Sequence, residues 1–190
     1  MLDTKQNHIF IDGSNLFIEG MRLSSQIKSG DTSAPAYVHQ EFDFDFRIDL
    51  RRLSSFLGTT ESAVRPLLVG SRSEHSDLLF ASAVNCGFET VVYDRDMNNR
   101  EKKVDSTIVM RALMAALDGD PTTIRIVIVA GDSDYVPLVQ GLRRRGYEVE
   151  VVFWAHGSRE LQAAATRFQA LDVVIDWLRY TPVSRTGSVA

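Results

Sequence analysis

The stretch Val127–Tyr135, VIVAGDSDY, decides how the rest of the chain is read. Val127, Ile128 and Val129 are β-branched and apolar, the composition of a buried strand. Gly131, Asp132 and Ser133 then turn the chain, and Asp or Ser at such a turn is the ordinary cap of a following helix. One cap needs one acid, however, and Asp134 sets a second carboxylate beside Asp132. Two like charges this close repel, so the pair asks for a counter-charge brought from elsewhere in the fold.

The same strand-then-helix pattern extends both ways from this point. His8–Ile11, Val64–Val69, Glu89–Tyr93, Ile124–Ala130 and Glu148–Phe153 are predicted strands, with Leu171–Ile175 a candidate sixth. Helical spacing predicts Leu16–Ser25, Ile48–Leu57, Ser76–Val84, Asp105–Leu117, Tyr135–Arg145 and Arg159–Arg167. In Asp105–Leu117 the apolar face is expected to comprise Ile108, Val109, Ala112, Leu113, Ala116 and Leu117. Regular alternation implies crossover connections and a mostly parallel sheet covered on both faces. The expectation is one α/β doubly wound domain over residues 1–180. Its sheet should have five to six strands, in a Rossmann-like order 3-2-1-4-5, with helices on both faces. Residues 26–44 read as an irregular insertion and 181–190 as a disordered tail.

Composition narrows the classes. At 190 residues with 44% hydrophobic and 24% charged, the chain is an ordinary globular domain. Its formal charge of −4 does not mark it as a nucleic-acid binder, although acids that hold cations would hide such a role. A single cysteine, Cys86, excludes an intrachain disulfide framework and suits a reducing compartment. The amino terminus is polar before its first strand, and no apolar run approaches a membrane span, so a cytoplasmic protein without membrane contact is expected.

Asp12 follows the apolar run Ile9–Ile11 and, like Asp132, sits where a strand turns into a helix. In doubly wound sheets ligands bind outside the carboxyl ends of strands, where the strand order reverses. With strands one and four as neighbours there, Asp12 faces Asp132 and Asp134 across one crevice. Asp105 begins the helix that leads into strand four and so starts near the same end. Taken alone, Asp105 reads as a first-turn acid and Asp12 equally as a cap or a ligand. Together they would form an intolerable charge without cations, and oxygen donors suit Mg²⁺ or Mn²⁺. Other acids (Asp43, Asp45, Asp94 and Asp96) read as solvated, and His8, His39, His75 and His156 as surface or packing residues.

The motifs IFIDGSNLF, KKVDSTIVMRAL and IVIVAGDSDYVPLVQGLRRRGYEVEVV, in that order, resemble the NYN domain of the PIN-like nuclease superfamily, with the LabA-like bacterial branch nearest in pattern. The likeness runs from about His8 to about Ile175. Ala130 stands where the pattern frequently has Ser, and Tyr135 where it frequently has Phe. The resemblance implies a Mg²⁺- or Mn²⁺-dependent ribonuclease-type site. Asp12, Asp105, Asp132 and Asp134 fall on its acidic positions, and Asn15 is the polar partner in the first turn. Ser14 and Ser133 are expected to touch phosphate, and Lys102 and Lys103, with Arg95 and Arg100 in the same loop, to grip the backbone without reading sequence.

The expected function is therefore hydrolysis of RNA phosphodiesters by a cytoplasmic enzyme. The alternative is an RNA-binding or protein-interaction module that keeps the metal site without useful turnover. In that setting 26–44 is open to a lid or a protein-partner role, and a homodimer is a further open alternative. A metal-dependent phosphatase ranks lower, because aspartyl-phosphate chemistry wants an acid at position 14, where this chain has Ser14. A metal-adhesion domain is disfavoured by Leu16, which stands where its motif has a second Ser. Trp154 is weighed as a base-stacking residue against a packing one, with packing preferred, and Arg143–Arg145 as the cationic end of a helix.

Overall fold

A computed structural model describes residues 5–30, 41–59, 64–72, 76–95 and 103–182. Apolar residues run consecutively through Ile9, Phe10 and Ile11 and again through Ile126–Ala130, and all are buried. Such runs suit strands covered on both faces. The strands are β1 (Gln6–Asp12), β2 (Leu67–Ser71), β3 (Glu89–Tyr93), β4 (Ile124–Val129), β5 (Glu148–Phe153) and β6 (Arg167–Ala170). They form one sheet in the order β3-β2-β1-β4-β5-β6, every neighbouring pair parallel. The expected order is thus found, extended by one strand.

Side chains alternate across this sheet and divide the core into two layers. Ile9, Ile11, Leu68, Val127 and Val129 face one layer. It is closed by α1 (Gly13–Ser29), α2 (Leu50–Phe56), α3 (Ser76–Asn85) and the short α7 (Ile175–Leu178). Phe10, Leu67, Val69, Ile126 and Ile128 face the other. That layer is closed by α4 (Val104–Asp118), α5 (Val136–Arg144) and α6 (Arg159–Ala164). Each fully buried Ile or Val contributes about 1.5–3 kcal/mol, so the two central strands anchor both layers at once. From β1 the chain winds outward to β2 and β3, then returns to β4 and winds the other way. The reversal lies between β1 and β4, where Ile11 is level with Val129 and both strands end together.

Four expectations change. The sixth strand is Arg167–Ala170, not Leu171–Ile175, and the helix before it stops at Ala164. An edge strand needs only one neighbour, and Arg167–Glu150 pairing at 2.6 Å and the ladder to β5 supply it without an apolar run. Leu171 is instead a buried anchor, followed by a 3₁₀ turn at Asp172–Val174. Helix α1 continues into the segment read as irregular and ends at Gly30, whose φ of 68° permits the left-handed C-cap bonding Gln26 and Ile27 carbonyls. On α4, Leu113 and Leu117 are exposed, because the buried stripe runs through Val104, Thr107, Ile108, Ala112 and Ala116.

The fourth change concerns Asp43, read as solvated but only 7% exposed. Burial raises its carboxyl pKa, but hydrogen bonds from Lys28, Ser24 and Arg179 outweigh that and hold it down at about 2. The contacts are 2.6 Å from Ser24, 2.8 Å from Lys28 and 3.4 Å from Arg179. They tie the end of α1 to the chain after α7. Trp154 packs: it is fully buried, its Nε1 donates to the Leu16 carbonyl at 2.9 Å, and Gly20 lets α1 close over it. A Cβ at Gly20 would stand 2.8 Å from the Trp154 ring. Residues 31–40, 96–102 and 183–190, which include His39, Asp96, Arg100, Lys102 and most of the expected tail, lie outside the described residues, as does His75. Among the described residues no helix is long and apolar enough to cross a membrane.

Candidate active site

Asp12 ends β1 in extended backbone and caps α1, its Oδ1 accepting from the Asn15 N–H at 2.9 Å. The cap reading is therefore correct for one oxygen of this carboxylate. Its other oxygen, in a residue only 5% exposed, accepts from the Tyr135 hydroxyl at 3.0 Å. Asn15 reaches across to the neighbouring strand exit, where its Oδ1 accepts from the Gly131 N–H at 2.8 Å. Gly131 can carry no side chain, since a Cβ would lie 2.0 Å from the Phe153 ring. Asp132 repeats the capping device at the exit of β4, accepting from the Asp134 N–H at 3.0 Å.

Asp105 arrives from the other layer. It lies in the first turn of α4, behind Lys103, which adopts φ 75° without a side-chain cap. That left-handed backbone costs a non-glycine residue about 1–3 kcal/mol. It turns the chain so that Asp105 meets the same Tyr135 hydroxyl at 2.9 Å. A phenol has one hydrogen, so Asp12 and Asp105 contest a single donor. Burial and then the charges of the two carboxylates push the Tyr135 hydroxyl far above its ordinary pKa, so it stays protonated.

A cavity of about 290 Å³ opens on this junction, lined by Asp12, Asp105 and Asp132 with Ser14, Asn15 and Lys103. The fold thus brings together three of the four expected acids. Asp134 is exposed, does not line this cavity, and serves it through the backbone N–H that caps Asp132. Ser133 sits in an adjoining cavity with Asp132 and His156. The Lys103 ammonium lies 5.6 Å from the Tyr93 ring centroid, while Lys102 falls outside the described residues.

Two charged residues of the cavity were not singled out from sequence. Glu19 and Arg22 line it from α1 and bond each other, with Glu19 also bonding His156 Nε2 at 3.0 Å. Arg22 lies over Phe42 at 5.1 Å, and its Nε is buried without a hydrogen-bond partner among the described residues. The signal was present in the spacing: positions 15, 19 and 22 follow one face of a helix. It was hidden because a charged residue on a helix is ordinarily a solvated one.

Among the described residues no three His, Cys, Asp or Glu side chains are gathered tightly enough to close round an ion. The donors that line the crevice are nonetheless carboxylate, amide and hydroxyl oxygens, the set a hard divalent cation takes. They fit Mg²⁺ or Mn²⁺ in kind, and two of the three acids already converge on one hydroxyl.

An open parallel sheet with helices on both faces, and acids at the exits of its two central strands, defines a doubly wound α/β domain with its ligand crevice at the switch point. The chain belongs to the NYN domain family, whose model matches residues 8–172. This is a PIN-like nuclease fold. A crystal structure of a protein of unknown function from Vibrio parahaemolyticus has the same fold. It matches with a TM-score of 0.64 at 20% identity, over 95% of this chain and 99% of that one. No curated protein matches the chain.

Proposed function

We propose that the protein is a divalent-metal-dependent ribonuclease whose centre is the crevice between β1 and β4. One observation carries the reading: Asp12 and Asp105 share a single hydroxyl donor and, with Asp132, line one cavity. The family supports it, since NYN nucleases typically use divalent metals and NYN domains commonly bind RNA. Asp12, Asp105 and Asp132 would hold Mg²⁺ or Mn²⁺, with Asp134 steadying Asp132 from behind. Such a cation, when bound, would supply charge to offset the phosphate and lower the pKa of a water for hydrolysis. With its Oδ1 engaged by Gly131, Asn15 offers its amide N–H groups to a phosphate oxygen. Ser14, Arg22 and Lys103 line the same wall and supply a hydroxyl and two cations for the backbone. Water adds to phosphorus, the P–O bond to the leaving nucleoside breaks, and the departing oxygen takes a proton.

Labelled single-stranded RNA incubated with the protein and Mn²⁺ tests this. Cleavage is expected, with loss on the order of a thousandfold in Asp132→Asn and Asp12→Asn. No cleavage by the wild type, or cleavage by both variants at the wild-type rate, rejects the reading.

A second reading is favoured by Tyr135. Where the family pattern frequently has Phe, this chain puts a hydroxyl against both carboxylates. A donor that competes with a cation for those oxygens suits an RNA-binding module of low turnover. Tyr135→Phe separates the two: a gain in cleavage supports the binding module, and an unchanged or lower rate supports the enzyme.

A further inference from the structure

We propose that a second cavity, beside the acidic crevice, is a nucleobase subsite that seats an unstacked base of the strand whose phosphate lies at the acids. The identity of that strand as RNA rests on the ribonuclease reading. The cavity measures about 270 Å³ and opens at the exit of β2, between α1, α3 and the segment 44–48. It is contiguous with the acidic crevice, because Ser14 and Ile18 line both. A phosphate at Asp12 therefore has a neighbouring position within reach of the second cavity.

Its walls are apolar and partly aromatic: Phe17 and Met21 from α1, Leu79 and Phe80 from α3, with Phe44 and Phe46 opposite. Flat π-surfaces stack on any base without reading its sequence. Gly70 makes room at the strand exit, since a Cβ there would meet the Phe80 ring at 2.9 Å. Three further features select a base over an apolar side chain. Ser71, 6% exposed, lines the cavity with a buried Oγ that has no hydrogen-bond partner among the described residues. Such a hydroxyl destabilises the fold unless a ligand pairs with it, and a base edge carries donors and acceptors that can. Arg47 and Arg95 line the cavity as well and suit the phosphates on either side of a seated base. An aliphatic side chain would leave the Ser71 hydroxyl unpaired.

The test titrates the full chain with a five-nucleotide single-stranded RNA in Ca²⁺, read by fluorescence anisotropy. Parallel strands carry one abasic position each. The subsite predicts that a single position weakens binding about tenfold when its base is removed, while the others change little. In Phe44→Ala and Leu79→Ala that penalty falls to about twofold, by the loss of wall area. Phe44 is 69% exposed, so its truncation leaves the core intact. Ser71→Ala is expected to change the preference among the four bases at that position about threefold, from one lost hydrogen bond. Equal abasic penalties at every position, or a penalty undiminished in both wall variants, overturn the subsite and leave the ribonuclease reading standing. Equal cleavage by Asp132→Asn, with the position-specific penalty intact, defeats the ribonuclease reading and leaves the subsite. No binding of RNA overturns the subsite, as does a wall variant that changes only the oligomeric state.

Discussion

Asp43 and Asp12 are both buried carboxylates on or beside α1, and the fold treats them oppositely. Asp43 is met by an ammonium, a guanidinium and a hydroxyl. Its charge is satisfied, and it fastens two distant parts of the chain. Asp12 receives a backbone N–H and a phenol that it must share with Asp105. These two contacts fix the orientation of both its oxygens. The difference separates an acid fastened between two cations from one that shares its hydroxyl donor with a second acid.

The largest expected effects come from breaking each side in turn. Asp132→Asn or Asp12→Asn should remove cleavage by about a thousandfold while changing stability by less than about 1 kcal/mol, since Asn also caps helices. Urea denaturation beside the cleavage assay checks both halves. Asp43→Ala should do the reverse, costing about 3 kcal/mol, because it leaves Ser24, Lys28 and Arg179 facing a gap, with cleavage per folded molecule little changed. Equal stability losses at Asp12 and Asp43 would erase the distinction.

Acid sharpens it further. Asp43 falls from an ordinary 3.8 to about 2 in the fold, so its contribution is fully present above pH 3.8 and is lost as pH drops toward 2. The loss amounts to about 2 kcal/mol, read as a falling urea midpoint between pH 5 and pH 2. Asp43→Asn should flatten that slope. Tyr135→Phe should tighten Mn²⁺ binding about fivefold in calorimetry, as the hydroxyl no longer competes for both carboxylates, at a stability cost of about 1 kcal/mol. Weaker binding instead would mean that the hydroxyl orients the acids for the ion. The smallest effect is expected at Lys103→Gly. Release of the left-handed backbone should raise stability by about 1 kcal/mol, and the lost cation should lower the salt dependence of RNA binding by about one phosphate contact.

How much was readable in the sequence follows the same physics. The central strands β1 and β4 announce themselves because both faces are buried, so every residue must be apolar. Arg167–Ala170 does not, because an edge strand alternates exposed and half-buried positions and takes its stability from pairing with β5. That Asp12, Asp105 and Asp132 would come to one crevice was legible from the rule that crevices form at strand exits where the order reverses. Glu19, Arg22 and the burial of Asp43 were not, since a charged helical or loop residue looks the same in sequence whether water or another side chain satisfies it.

By itself the sequence determined that strands and helices alternate and that Asp12 and Asp132 stand at turns. Local chemistry suffices for that: β-branched runs make strands, and glycine with a capping acid makes the exit. Only the tertiary structure decided which acids meet at one donor. Asp12, Asp105 and Tyr135 become neighbours because parallel crossovers carry β1, α4 and β4 to one end of the sheet. No local pattern reveals that one hydroxyl there must serve two carboxylates.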